Sequence, residues 1–132
     1  MNNILVWDEM TSTLGKPRLA VTLVVAEPLL TLRELIRARV TQEVQAYNAQ
    51  HTEYFQGMVQ PAGAELTLNG YRLRQPRQLD LEQQVATALA AFETYGFVVL
   101  IDDQQVDDLD AQIALRPDLA VTFLKLVPLV GG

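Results

Sequence analysis

The chain has 132 residues, 49% of them hydrophobic and 20% charged, with a formal net charge of −6 and no cysteine. This composition specifies one globular domain spanning 1–132, and the missing cysteine excludes disulfides, thiolate catalysis and a cysteine-based zinc site. The acidic balance argues against a nucleic-acid partner, the apolar runs are too short to cross a membrane, and the first residues lack the basic segment of a signal peptide, so a cytoplasmic location is expected.

Ile4-Leu-Val-Trp7 predicts a first strand, and the Val- and Leu-rich stretch from Arg18 to Glu27 a second. The turn chemistry of Thr11 to Pro17 makes the two a hairpin, and Pro28 closes the second strand. Thr31-Leu-Arg-Glu34 reads as a capping box, in which Thr31 accepts from the Glu34 amide and Glu34 reaches back to the Thr31 N–H. A helix follows with Leu32, Leu35, Ile36, Val40, Val44 and Tyr47 on one stripe, ending near Asn48.

Residues 50–63 are polar and interrupted by Gly57, Pro61 and Gly63. Apolar residues then alternate around Asn69-Gly70, a pair suited to a two-residue hairpin turn. Asp80, with Gln83 three residues on, predicts the N-cap of a second helix whose stripe is Leu81, Val85, Leu89 and Phe92, with Gly96 at its end. Phe97-Val-Val-Leu-Ile101 is a fully apolar strand and Asp102 to Gln105 a turn. Leu109, Ile113 and Leu115 anchor an irregular segment, and Leu119 to Val127 is the last strand, with Val121 and Phe123 facing the core.

Gly131 and Gly132 come directly after that strand and its apolar tail. Activation of a terminal carboxylate suits such an end, because glycine has no Cβ and its backbone can thread the narrow cleft of an adenylating enzyme. Pro128 would turn the tail off the sheet. The alternative is a frayed terminus. Leu124 and Leu126 make the other face of the last strand apolar, which means either that the inserted helix or hairpin covers it or that it docks a partner.

Little else in the chain suggests chemistry. Ser12 has no histidine near it in sequence, and His51 reads as a solvated loop residue. Arg72, Arg74 and Arg77 read as a solvated hairpin face, and Trp7 and Tyr71 as packing residues. Only Lys16 and Lys125 are lysines, either from a bias toward arginine or because few lysines limit self-modification. The acids from Asp102 to Asp110 lack the spacing, glycine and bidentate Glu of a calcium loop; they read as a solvated loop or as a patch that steers a basic partner. With no nucleophile, metal cluster or phosphate loop, the chain does not read as an enzyme.

The order of elements, the opening Thr31-Leu-Arg-Glu-Leu-Ile36, the strand Val98-Val-Leu-Ile-Asp102, the turn Leu115-Arg-Pro-Asp118 and the ending Val121 to Gly132 resemble bacterial ubiquitin-like proteins of the β-grasp fold. The ending is especially similar to that of the sulfur-carrier branch. The resemblance covers about 1–49 and 97–132, and residues 50–96 would be an insertion carrying the hairpin and second helix. It implies an α+β fold in which one main helix crosses a mixed sheet and the last strand lies parallel beside the first.

It also implies that Gly132 is adenylated by an activating enzyme that uses ATP and magnesium, the chain itself holding no cofactor, with Leu124, Leu126, Pro128, Leu129 and Val130 as docking residues. The leading expectation is a protein modifier passed through a thioester to a target, with a conjugating enzyme and a metallopeptidase as further partners. The alternatives are a sulfur carrier with a Gly132 thiocarboxylate and a non-covalent interaction module. Ubiquitin has arginines just before its glycines and this tail has none. Small sulfur carriers commonly have Gly-Asp before the last strand, where this chain has Pro117-Asp118.

Overall fold

A computed structural model describes residues 2–11, 19–50, 53–73 and 78–126. In chain order the elements are β1 (Asn2–Met10), β2 (Leu19–Val25), β3 (Leu29–Thr31), α1 (Leu32–Gln50), β4 (Tyr54–Phe55), β5 (Ala64–Thr67), β6 (Gly70–Leu73), α2 (Leu81–Glu93), β7 (Phe97–Ile101), β8 (Gln104–Val106), β9 (Gln112–Ala114) and β10 (Val121–Lys125). The main sheet runs β2-β1-β10-β7-β8. β10 is parallel to β1, with Val6 opposite Val121 and Asp8 opposite Phe123, and the other three pairings are antiparallel. The fold is therefore α+β, with a mixed sheet and two helices.

The sheet's inner face and α1 share the core. Leu32, Leu35, Ile36, Val40, Val44 and Tyr47 are all buried, as the spacing predicts, against Ile4, Val6, Leu23, Val25, Val99, Val121 and Phe123. The capping box forms: Glu34 N–H donates to Thr31 Oγ1 at 3.2 Å, and Thr31 N–H donates to Glu34 Oε1 at 3.1 Å. The next two amides of α1 also find partners, Leu32 N–H on Ala111 O and Arg33 N–H on Leu109 O, both at 2.9 Å. Thr31→Ala should lower stability by about 1 kcal/mol, measured by urea unfolding. Glu34 then keeps its bond to the backbone of residue 31, so a loss much above that figure would mean the cap does more than satisfy one amide.

Several boundaries differ from the sequence expectation. β1 extends past Trp7 to Met10 because Asp8, polar and inward, is held by buried Arg39 on α1. α1 runs to Gln50, past Asn48, whose amide group instead ties the start of α2 by exchanging bonds with the Leu79 N–H and C=O at 2.8 and 3.1 Å. The short strands β3 and β9 pair with one another, and β4 joins β6; their two or three residues are too few to show alternation. The hairpin closes at Leu68-Asn69, one residue earlier than Asn69-Gly70, with Thr67 opposite Gly70. Gly70 has φ +120°, and a Cβ there would sit 3.0 Å from Phe55 O. Its glycine thus serves the close approach of β4 and a conformation L-residues avoid.

α2 starts where Asp80 predicts, its carboxylate accepting from the Glu82 and Gln83 amides. Its most buried line is Gln84, Val85, Ala88 and Phe92, with Leu81 and Leu89 only half-buried. Gln84 belongs inside because its side chain donates to Val59 O. At the other end Gly96 N–H bonds Ala91 O at 2.7 Å and Tyr95 N–H bonds Phe92 O at 3.2 Å, the two bonds of a Schellman cap. The left-handed residue is Tyr95, φ +60°. Gly96 is one position later, where a Cβ would come within 3.2 Å of Ala91 O. β7 matches its predicted bounds, and Asp102 and Asp103, at φ +50° and +66°, make a two-residue turn into β8.

Candidate functional site

The candidate site is the end of β10 and the sheet face turned away from α1. Val121 and Phe123 point inward and are buried, as expected. Leu124 points outward and is half-buried, in register with Glu9 of β1 and Val98 of β7. Leu126 is half-buried, and its N–H donates to Gly96 O at 3.1 Å, so the last described residue is pinned beside the cap of α2. Pro128, Leu129, Val130, Gly131 and Gly132 lie outside the described residues, as do Ser12, Lys16, His51, Arg74, Arg77 and the end of the predicted last strand at Val127.

Alternation along the strands puts Leu5, Trp7 and Glu9 of β1, Thr22 and Val24 of β2, Val98 and Leu100 of β7, and Thr122 and Leu124 of β10 on this outer face. Leu5 and Val24 are each 45% exposed. Val98 and Thr122, in the middle of this face, are buried all the same, and the described contacts of the inserted helix and hairpin lie on the other side of the sheet. Phe92 of α2 packs on inward-facing Phe97, ring centroids 5.7 Å apart. Tyr71 of β6 meets inward-facing Lys125, whose Nζ donates to Tyr71 Oη at 2.7 Å and lies 5.2 Å from the ring centroid. Both inserted elements are thus on the α1 side, and Tyr71 is the packing residue expected of it.

The sequence singles out Leu124 and Leu126; the register adds Leu5 and Val24, which are exposed, Leu100, which is half-buried, and Val98, which is buried. The signal was present: Ile4-Leu-Val-Trp7, Leu23-Val-Val25 and Phe97 to Ile101 are apolar on both parities, which in an edge-exposed sheet means that the second face also meets something apolar.

Beneath the sheet lies an ionic cluster that spacing of apolar residues alone could not reveal. Arg39 is 5% exposed. Both of its terminal nitrogens bond Asp8, one at 2.6 Å to Oδ2, and one also reaches Glu43 Oε2 at 3.4 Å. The guanidinium stacks 4.7 Å from the ring centroid of Phe123. Burial pushes the Glu43 carboxyl up to about 7, against the opposing pull of Arg39 and of the Met58 backbone amide that it accepts from.

Acids of the 102–118 region bond their own loops and the start of α1. Asp102 accepts from Arg116 and from Ala120 N–H, and the Arg116 bond holds its carboxyl below the usual range. Asp108 accepts from Asp110 N–H at 2.9 Å, and Asp110 lies 3.7 Å from Arg33. Among the described residues no three His, Asp or Glu side chains stand close enough to hold a metal ion, and no helix is long and apolar enough to cross a membrane.

The fold and this site define an α+β domain whose mixed sheet is covered by helices on one side and is apolar on the other. Comparison of the chain with protein-family models, with curated proteins and with solved structures gives no match.

Proposed function

We propose that this chain is a ubiquitin-like protein modifier of the β-grasp class, attached to its targets through the carboxylate of Gly132. The observation that carries this reading is the position of β10: it lies inside the sheet, parallel to β1, and leads within a few residues to Gly131-Gly132. A central strand is a rigid base for a reactive tail, because its backbone is bonded on both sides. The Leu126–Gly96 bond and the Lys125–Tyr71 contact hold the last described residues in place. The apolar outer face, with Leu124 at its centre, supports docking of an activating enzyme beside the tail.

The chemistry requires Gly132 to be the terminal residue, as synthesised or after trimming. Its carboxylate oxygen attacks the α-phosphorus of ATP on the activating enzyme, and pyrophosphate leaves. A cysteine thiolate of the partner attacks the acyl-adenylate carbon, and AMP leaves. A target amine attacks the thioester, expelling the thiolate and losing a proton to give an amide. The chain contributes the electrophilic carbon and the docking surface, and the partner enzymes contribute the catalytic groups. Its apolar tail, without arginine before the glycines, favours as second reading a sulfur carrier in which sulfide replaces AMP to give a thiocarboxylate.

The test is denaturing electrophoresis of the tagged chain from cells of its native host. Covalent adducts of higher mass are expected with Gly132 terminal, and their complete loss when Gly131 and Gly132 are deleted. Adducts that survive the deletion, or none in either case, would overturn the modifier reading.

A further inference from the structure

Among the described residues β2 is an outer strand of the main sheet, paired on one side with β1. An open edge of this kind presents backbone groups to any second strand, and Leu19–Val25 carries no charged residue to repel one. Here the edge is occupied by a side chain. Gln42 of α1 reaches over the groove so that its Nε2 donates to Thr22 O at 2.7 Å and its Oε1 accepts from Val24 N–H at 3.3 Å. One carboxamide thus makes the two bonds that a neighbouring peptide group would make.

The same two residues define a self-complementary pairing. If two β2 strands meet antiparallel about a twofold axis at Leu23, Thr22 of each faces Val24 of the other. Each such pair can exchange both N–H···O=C bonds, because these are the groups pointing away from β1. Beside β2 runs a groove of about 520 Å³ whose α1 wall carries Ala38, Thr41 and Gln45 next to Gln42, with the charged Glu34 and Arg37 further along it and Glu27 opposite. Thr22 and Val24 would also join the two apolar outer faces into one.

We propose that the β2 edge is a pairing surface for a second copy of this chain, closed in the monomer by the Gln42 carboxamide. Pairing requires both copies to release Gln42. Removing it should therefore tighten association on the order of a hundredfold, roughly tenfold for each Gln42 whose bonds no longer have to be broken.

Sedimentation velocity of the wild-type chain, of Gln42→Ala and of Gln42→Ala/Val24→Lys tests this, with circular dichroism to establish that each is folded. Ala introduces no new apolar surface, so any gain in association comes from the opened edge. A Gln42→Ala dimer that reverts to monomer when Val24→Lys puts a charge at the edge is the expected result. Exchange of the Val24 amide should be slow in the wild type, fast in dilute Gln42→Ala and slow again in its dimer. A folded Gln42→Ala chain as monomeric as the wild type, a dimer indifferent to Val24→Lys, or open-ended oligomers would each overturn the proposal.

Discussion

Replacing Arg39 with Ala should cost about 3–5 kcal/mol of stability, the scale for removing one partner from a buried charge pair. The guanidinium holds Asp8 of β1 and Glu43 of α1 and lies over Phe123 of β10. Its loss leaves Asp8 with its bidentate partner gone and opens a cavity against the ring next to the strand that leads to the tail. Urea unfolding should show a midpoint falling by a large fraction of its value with an unchanged slope. Arg39→Lys should recover little, because a single ammonium cannot supply the paired bonds to Asp8. An Arg39→Ala chain as stable as the wild type would mean that the cluster only fills space. Arg39 Nε, buried with no hydrogen-bond partner among the described residues, marks where this arrangement is incomplete.

Glu43→Gln should act in the opposite direction near neutral pH. Burial, the largest influence on Glu43, raises its carboxyl from 4.5 to about 7 in the folded chain. A carboxyl with a raised folded value binds its proton more tightly when folded. Its contribution is therefore fully present below pH 4.5 and is lost as pH rises through 7. The wild type should lose up to about 3 kcal/mol relative to Glu43→Gln across that window, since holding a proton more tightly by a factor of ten is worth about 1.4 kcal/mol. Stability curves of the two proteins, each measured by urea unfolding at several pH values, should converge near pH 4.5 and separate toward 7. Parallel curves would show that Arg39 and the Met58 amide keep the carboxylate ionised at no cost.

Much of the frame was legible in the sequence because local signals agreed with it. Thr31 and Glu34 marked the start of α1, Asp80 the start of α2, and the period of Leu32 to Tyr47 the buried stripe of α1. The parallel placement of β10 beside β1 came from resemblance; a pairing over more than a hundred residues leaves no local trace. What stayed hidden depended on tertiary partners. Arg39 sits on the stripe, three residues after Ile36, yet a charged residue enters the core only when Asp8 meets it from another element. Gln84 and Gln42 likewise take their roles from backbone groups of Val59, Thr22 and Val24. The outer face was half legible: Leu124 stood out on one strand, and its continuation through Leu5 and Val24 required the register.

The central claim is that the Gly132 carboxyl becomes bonded to a target. Lys125 is the last basic residue, so trypsin would cut after it and leave Leu126 to Gly132 attached to whatever the chain modifies. The decisive measurement is mass spectrometry of tryptic peptides from the native host, searched for amines bearing Leu-Val-Pro-Leu-Val-Gly-Gly. Branched peptides carrying that segment on residues of other proteins are the predicted result. Recovery of the segment only as a free acid, or with one carboxyl oxygen replaced by sulfur, would contradict the modifier reading, and the sulfur-containing form would identify a carrier instead.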